Sequence, residues 1–184
     1  MDIRITEIVT GSRANGPGNR NVVWFQGCTL NCPGCFNPQT HPAAGGFPIS
    51  TDDLCEKLLD LQFQSNGITI SGGEPFQQAE GLLDLLVKLK QRKSPPVLVF
   101  SGYTFSQLQD NPIRKSCLSY IDALICGPYR RNEPPAFEHF CSSANQELRL
   151  LSSRLQPRDF SDLPLAEIII DRSGKAFFSG ICTA

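Results

Sequence analysis

Three cysteines, Cys28, Cys32 and Cys35, stand close together in a C-x3-C-x2-C run. Thiolates crowded this way suit a metal centre, and an iron–sulfur cluster is the leading assignment. A cubane cluster holds four irons, so three protein thiolates leave one iron open to a substrate or cofactor. Pro33 and Gly34 suit the tight turning of such a loop, and Gly34 lets the backbone approach a bulky inorganic core. The same cysteines with His41 also read as C-x3-C-x2-C-x5-H, a zinc pattern of the Cys3His type. Disulfides are a third possibility.

Further chemistry-bearing residues lie downstream. In Ser71-Gly72-Gly73-Glu74-Pro75, two glycines permit close backbone approach and Glu74 can accept hydrogen bonds from an ammonium group. A glutamate at a helix start is equally common as a purely electrostatic feature. Ser101-Gly102-Tyr103 and Cys126-Gly127-Pro128-Tyr129 complete the set. Each of the four stretches follows a short apolar run. In parallel α/β folds, ligands gather at the C-terminal ends of the strands, so the convergence of four such loops says more than any one of them.

The elements that must position them follow from periodicity. Residues 3–9 alternate partly and predict a strand. Gly11 to Asn21 is turn-rich, with Asn15-Gly16-Pro17-Gly18 at its centre. Residues 22–26 predict a core strand, its apolar run Val22 to Phe25 fitting burial on both faces. Pro38 to Pro48 shows no periodicity and predicts a loop. Ser50 or Thr51 caps a helix to about Phe63, with Asp52 and Asp53 in its first turn. Gly67–Ser71, Val97–Phe100 and Ile121–Ile125 predict three more strands. A leucine-faced helix from Gln77 to about Arg92 and a short helical segment capped by Thr104 lie between them. Strands alternating with helices imply βαβ crossovers and a parallel sheet. Residues 147–155 fit strand or helix equally. Ile168–Ile170 and Ala176–Phe178, around Asp171-Arg172-Ser173-Gly174, predict a β-hairpin.

Length and composition set the frame. A chain of 184 residues suits one domain, with a core over about 3–154 and an extension over about 155–184. Apolar residues make up 40% and charged residues 19%, and the formal net charge is −1. A nucleic-acid binder shows a basic excess instead. The N-terminal residues carry Asp2, Arg4 and Glu7, unlike a signal peptide, and no apolar run reaches membrane-spanning length. The expected location is cytoplasmic, where thiols stay reduced. Eight cysteines are then not a disulfide framework, and Cys55, Cys117, Cys126, Cys141 and Cys182 read as small buried hydrophobes.

The cysteine spacing after a strand resembles the radical S-adenosylmethionine (SAM) superfamily. The run GCTLNCPGCFNPQT is similar to the cluster loop of the activating proteins of anaerobic ribonucleotide reductases, with Gly34 before the third cysteine and the aromatic Phe36 after it. Ser71 to Glu74 resembles the superfamily's G-G-E motif, which holds the SAM amino group. Ser101-Gly102-Tyr103 resembles the activase T-G-Y, near the ribose or carboxylate. Arg20 resembles the arginine of an N-G-P-G-x-R element, displaced by one residue. Ser142-Ser143-Ala144-Asn145-Gln146 resembles G-S-S-N-Q. Here Cys126 replaces an aspartate, Ala144 is inserted, and Cys141 stands where glycine is expected. The resemblance covers roughly residues 5–150.

The resemblance implies an incomplete parallel β/α barrel with a C-terminal β-hairpin extension. It implies a 4Fe–4S cluster on Cys28, Cys32 and Cys35, with SAM on the fourth iron. Gly34, Phe36, Gly72, Gly73, Glu74, Ser101 and Gly102 are then cofactor-binding residues. The implied activity is reductive cleavage of SAM to methionine and a 5′-deoxyadenosyl radical, used to generate a glycyl radical on a large partner enzyme. Another radical SAM reaction, or a zinc-stabilised module without catalysis, are the alternatives. An acidic electron donor such as flavodoxin is the expected second partner. Basic residues stand ready at Lys90, Arg92 and Lys93, at Arg114 and Lys115, and at Arg130 and Arg131.

Overall fold

The structure, a computed structural model, describes residues 1–60, 65–136, 140–170, 174 and 176–180. Its frame is a seven-stranded sheet. β1 spans Asp2–Ser12, β2 Arg20–Phe25, β3 Phe47–Ser50, β4 Gly67–Gly72, β5 Val97–Ser101, β6 Ala123–Cys126 and β7 Glu147–Leu150, in the spatial order β3-β1-β2-β4-β5-β6-β7. The central pairings β2–β4, β4–β5 and β5–β6 are parallel, while β1, β3 and β7 pair antiparallel at the margins. The sheet does not close on itself, in keeping with an incomplete barrel.

The central strands obey a period of two. Val23, Phe25, Ile68, Ile70, Val97, Val99, Leu124 and Cys126 face one core with the helices. That core receives Leu54 and Leu58 from α1 (Thr51–Leu58) and Leu82, Leu85, Leu86 and Leu89 from α2 (Ala79–Gln91). The alternate residues face the other way. Leu98, Ala123 and Ile125 meet Phe140, Cys141, Leu155 and Phe160. Val9, Val22 and Trp24 meet Ile169 and Phe177. The last two belong to a separate hairpin, β8 (Ala166–Ile170) and β9 (Ala176–Gly180).

Several boundaries differ from the sequence expectation. Ser50 does cap α1, its Oγ accepting from the Asp53 amide at 3.0 Å, but the helix ends at Leu58. The expected continuation over residues 61–63 lies outside the described residues. The stretch taken as loop contains β3, an edge strand carrying Pro48, where a missing amide costs no ladder bond. A 3-10 turn over Pro75–Gln78 precedes α2. Thr104 caps α3 (Phe105–Gln109) in a capping box with Gln107. A further helix, α4 (Pro112–Leu118), is capped by Asn111, whose side-chain Oδ1 accepts from the amides of Ile113 and Arg114. Residues 147–150 are strand. The hairpin is present, while Asp171, Arg172 and Ser173 of its expected turn, and Cys182, lie outside the described residues. Cys55, Cys117, Cys126 and Cys141 are buried. Burial pushes the Cys126 thiol up to about 11 and Cys117 up to about 12.

Candidate active site at the strand ends

β2, β4, β5 and β6 all point their C-terminal ends toward one cleft of about 270 Å³. Cys28, Cys32 and Cys35 line it, as do Gly72, Gly73, Glu74, Ser101, Gly102, Gly127 and Phe36. Parallel pairing brings this about. The register Phe25↔Gly72 and Ser101↔Cys126 sets the ends of neighbouring strands level, so the loops leave the sheet side by side.

The cysteine loop is pinned at its base. The amides of Gly27 and Cys28 donate to the carbonyls of Thr40 and His41, at 2.7 and 3.0 Å. Within the loop the Cys35 amide donates to the Cys32 carbonyl at 3.1 Å. The Asn37 amide approaches the Cys35 sulfur at 3.4 Å. Gly34 has φ +76°, and a Cβ there would meet the Arg131 side chain at 2.8 Å. It is not among the lining residues, so its freedom serves the turn and the seat of Arg131. Phe36 packs on Tyr129 with ring centroids 4.9 Å apart. Partial burial raises the thiols of Cys28 and Cys35, so taking up a metal there releases protons.

The three thiols are free and half-buried. Among the described residues no three His, Cys, Asp or Glu side chains gather round a single metal ion. Tetrahedral zinc, with Zn–S bonds of about 2.3 Å, needs its sulfurs about 3.8 Å apart. A four-iron cluster spreads three thiolates over three irons. His41 also lines the cleft. Its Nε2 is buried without a hydrogen-bond partner among the described residues.

Glu74 stands at the junction of the loops and is buried. Oε1 accepts from the Phe76 amide at 3.0 Å and from Ser101 Oγ at 2.9 Å, and Oε2 accepts from the Gly102 amide at 2.7 Å. A carboxylate has about four lone-pair positions, so one at Oε2 is left for a ligand. Burial raises its pKa to about 7, against three hydrogen bonds that pull the other way. An ammonium group arriving at Oε2 would restore the charged form.

Gly72 and Gly73 have a structural duty besides. Gly72 has φ +107°, and a Cβ there would meet the Phe25 amide nitrogen at 2.4 Å; one on Gly73 would meet the Gly27 carbonyl at 2.3 Å. The amides of Gly73 and Glu74 donate to the Phe25 and Gly27 carbonyls at 2.8 and 2.9 Å. The glycines therefore splice the Glu74 loop directly onto the base of the cysteine loop. Gln77 adds a side-chain tie, its amide donating to Thr29 Oγ1 at 2.8 Å and accepting from the Thr29 amide at 3.1 Å.

Arg20 sits elsewhere. It opens β2, at the opposite end of the strand from the cysteines. Ser142 to Gln146 forms a clamp on the fourth loop: Gln146 Oε1 accepts from the amides of Ser142 and Ser143, and its amide donates to the Gly127 carbonyl at 3.1 Å. Ser142 and Gln146 line the cleft. The sequence alone did not mark Asn15, Trp24, Phe100 or Phe177 to Gly180 as lining residues. The strand-end position of Phe100 and the inward parity of Trp24 are the only local signals for any of them.

Fold and site together define an α/β protein of the cluster-and-cofactor kind, with three thiols and a buried carboxylate at the ends of adjacent parallel strands. A family model described as a 4Fe-4S single cluster domain matches residues 14–149. The chain belongs to this family and is a radical SAM enzyme of the activating type. It is 31% identical over 141 residues to the anaerobic ribonucleoside-triphosphate reductase-activating protein of Haemophilus influenzae, covering 72% of this chain and 88% of that one. With the protein of the same name from Enterobacteria phage T4 the identity is 32% over 126 residues, covering 65% and 77%. It is 36% identical over 111 residues to the pyruvate formate-lyase-activating enzyme of Clostridium pasteurianum, over 58% of this chain, which spans about half (47%) of that enzyme. Among solved structures, QueE from Escherichia coli aligns over 56% of this chain and 54% of its own, with TM-score 0.46 and 19% identity.

Proposed function

We propose that the protein installs a glycyl radical on a large partner enzyme of the anaerobic ribonucleotide reductase kind. The observation that carries this reading is the shared cleft, with three free thiols and the open lone pair of a buried carboxylate around one space. Cys28, Cys32 and Cys35 hold three irons of a 4Fe–4S cluster. Glu74 takes the SAM amino group, Ser101 and Gly102 lie beside it, and Phe36 closes the cluster side. Bound there, cluster and SAM supply a one-electron cleavage that yields a hydrogen-abstracting radical. The chain's residues orient the cofactor and keep water away from it. Removing a glycine α-hydrogen needs no protein acid or base.

The relatives named as reductase-activating proteins support this partner over the one named for pyruvate formate-lyase, because they align over more of this chain. We place the reaction in the cytoplasm, with flavodoxin or a similar acidic protein as electron donor. No helix among the described residues is long and apolar enough to cross a membrane. Anaerobic reconstitution with iron, sulfide, SAM and dithionite tests the reading. The expected result is 5′-deoxyadenosine formation, and a glycyl radical by electron paramagnetic resonance when the anaerobic reductase is added. Deoxyadenosine without a radical on the reductase would leave SAM cleavage standing and overturn the choice of partner.

A further inference from the structure

Cys28 and Glu74 stand on different loops, and a ligand that touches both needs their separation held. The main-chain pins secure the cysteine loop only at its base, and the next residue, Thr29, is exposed. Among the described residues, Gln77 is the only side chain outside the loop that hydrogen-bonds to residues 28–35. Its Oε1 accepts from the Thr29 amide at 3.1 Å, and its Nε2 donates to Thr29 Oγ1 at 2.8 Å. Both ends of the carboxamide are thus spent on the neighbour of Cys28. One residue further on, Leu30 leans on Gly102, where a Cβ would collide with its side chain, and the Gly102 amide is the one that holds Glu74.

Gln77 and Glu74 share one short turn. The 3-10 turn over Pro75–Gln78 is capped by the Glu74 carboxylate, and the Gln77 amide donates to the Glu74 carbonyl at 3.0 Å. Whatever the Gln77 side chain grips is therefore held in register with that carboxylate. A long side chain holds a position poorly on its own, because fixing its rotamers costs entropy. Here it is braced. Gln77 Nε2 also donates to Tyr103 Oη at 3.3 Å, and Arg114 Nη2 donates to the same oxygen at 3.2 Å. The Arg114 guanidinium lies over the Tyr103 ring, 4.1 Å from its centroid. Arg114 Nε donates to the Phe76 carbonyl at 3.2 Å, so the brace returns to the turn from which it began.

We infer that Gln77 is a positioning residue: it holds Cys28 and Glu74 at the separation that lets the cofactors engage both. This rests on the reading of Cys28 as a cluster ligand and of Glu74 as the clamp of the SAM amino group. Water competes for either bond to the exposed Thr29 taken alone. Two bonds from one braced carboxamide are harder to displace, because the second is made without further ordering.

The test compares wild type, Gln77→Ala and Gln77→Glu as full chains. In the cofactor-free proteins, iodoacetamide should label Cys28 several-fold faster in Gln77→Ala than in wild type, with Cys35 unchanged, as read by mass spectrometry. After anaerobic reconstitution the iron content should be equal. SAM affinity, by calorimetry, should fall roughly three- to tenfold in Gln77→Ala, the size expected for exposed hydrogen bonds. The change that SAM makes to the electron paramagnetic resonance signal of the dithionite-reduced cluster should shrink in parallel. Gln77→Glu should recover most of both, since its carboxylate accepts from the Thr29 amide and the Thr29 hydroxyl turns to donate. Added to Glu74→Gln, Gln77→Ala should cost little more, because the separation matters only while the clamp is present. Full SAM affinity with an unchanged signal in Gln77→Ala would overturn the inference while the cluster reading stands. So would iron loss in Gln77→Ala, which makes the tie one of cluster retention, and so would equal losses in the two variants. A wild-type chain that takes up no iron, or takes up iron and binds no SAM, would overturn both.

Discussion

Two of the sheet's buried charges lie at opposite ends, and they are treated differently. Arg20, at the start of β2, is wholly enclosed. Its guanidinium donates to Thr69 Oγ1 at 2.6 Å and to the carbonyls of Pro17, Ile68 and Pro96 at 3.0, 2.6 and 3.1 Å. Four of its five N–H groups are thus used on neutral acceptors, and burial lowers its pKa to about 10. Glu74, past the end of β4, is as deeply buried, but its Oε2 accepts one hydrogen bond, from the Gly102 amide. Saturation marks a residue that holds loops together. A position left over suits the ligand-binding role proposed for Glu74. The resemblance of Arg20 to a motif arginine therefore concerns the far end of the sheet, with no part in the cleft.

The largest effects should come from the cysteines. Cys28→Ala, Cys32→Ala or Cys35→Ala is expected to abolish cluster incorporation and SAM cleavage. Cys55→Ala and Cys117→Ala, both in the helix-side core, should leave iron content intact. Iron and sulfide analysis checks this, and a full cluster in Cys32→Ala protein would refute the ligand assignment.

Arg20→Met then breaks the comparison on the structural side. It strands the Ile68 and Pro17 carbonyls and opens a cavity, costing about 3 kcal/mol or more of stability. Denaturant titration should show this loss. SAM affinity of the folded fraction should be unchanged.

Glu74→Gln breaks it on the functional side. The amide keeps the acceptor for Phe76 and Ser101, so the fold should survive, while SAM binding should weaken by about 1.5–3 kcal/mol, roughly ten- to a hundredfold. Unchanged SAM titrations would reduce Glu74 to a loop clamp. The carboxylate also predicts a pH effect. Its folded pKa is about 7, above the ordinary 4.5, because of burial. Its contribution to cofactor-free stability is therefore full below about pH 4.5 and is lost as pH rises through 7. Glu74→Gln should flatten that slope in denaturant titrations between pH 5 and 8.

A smaller effect is expected at the rim. Arg131 packs against Gly34 of the cysteine loop, and Arg130 pairs with Glu133 at 2.7 Å beside it. If an acidic donor docks here, Arg130→Glu with Arg131→Glu should slow flavodoxin-driven SAM cleavage several-fold at low salt. Dithionite-driven cleavage should be nearly unaffected. Equal loss with both reductants would relocate the defect to SAM binding or stability.

How much of this could be read from the residues depends on locality. The four parallel strands and the leucine face of α2 were legible because both periods are local. So were the thiol triad and Glu74, since spacing within one loop and a strand-end position need no tertiary knowledge. β3 was hidden by Pro48 and by its half-exposed edge position. α4 was hidden by its shortness, although Asn111 before Pro112 is a capping signal. Residues 147–150 stayed undecided because a four-residue alternation satisfies either period. The use of the hairpin as a cleft wall was out of reach, because it rests on Trp24 meeting Phe177 across more than 150 positions of chain.

The double pin at the base of the cysteine loop, Gly27 to Thr40 and Cys28 to His41, bears on how the protein is assembled. A loop whose ends are held by main-chain bonds has already met most of its closure entropy. On the proposed ligation the thiols would await the inorganic core rather than be gathered by it. Cluster loss would then leave a folded shell into which iron and sulfide can return, so a damaged centre would call for repair rather than for a new polypeptide. Near-ultraviolet circular dichroism of the aromatic side chains should accordingly show a folded apoprotein, in which Trp24 and its neighbours are ordered before the metal arrives.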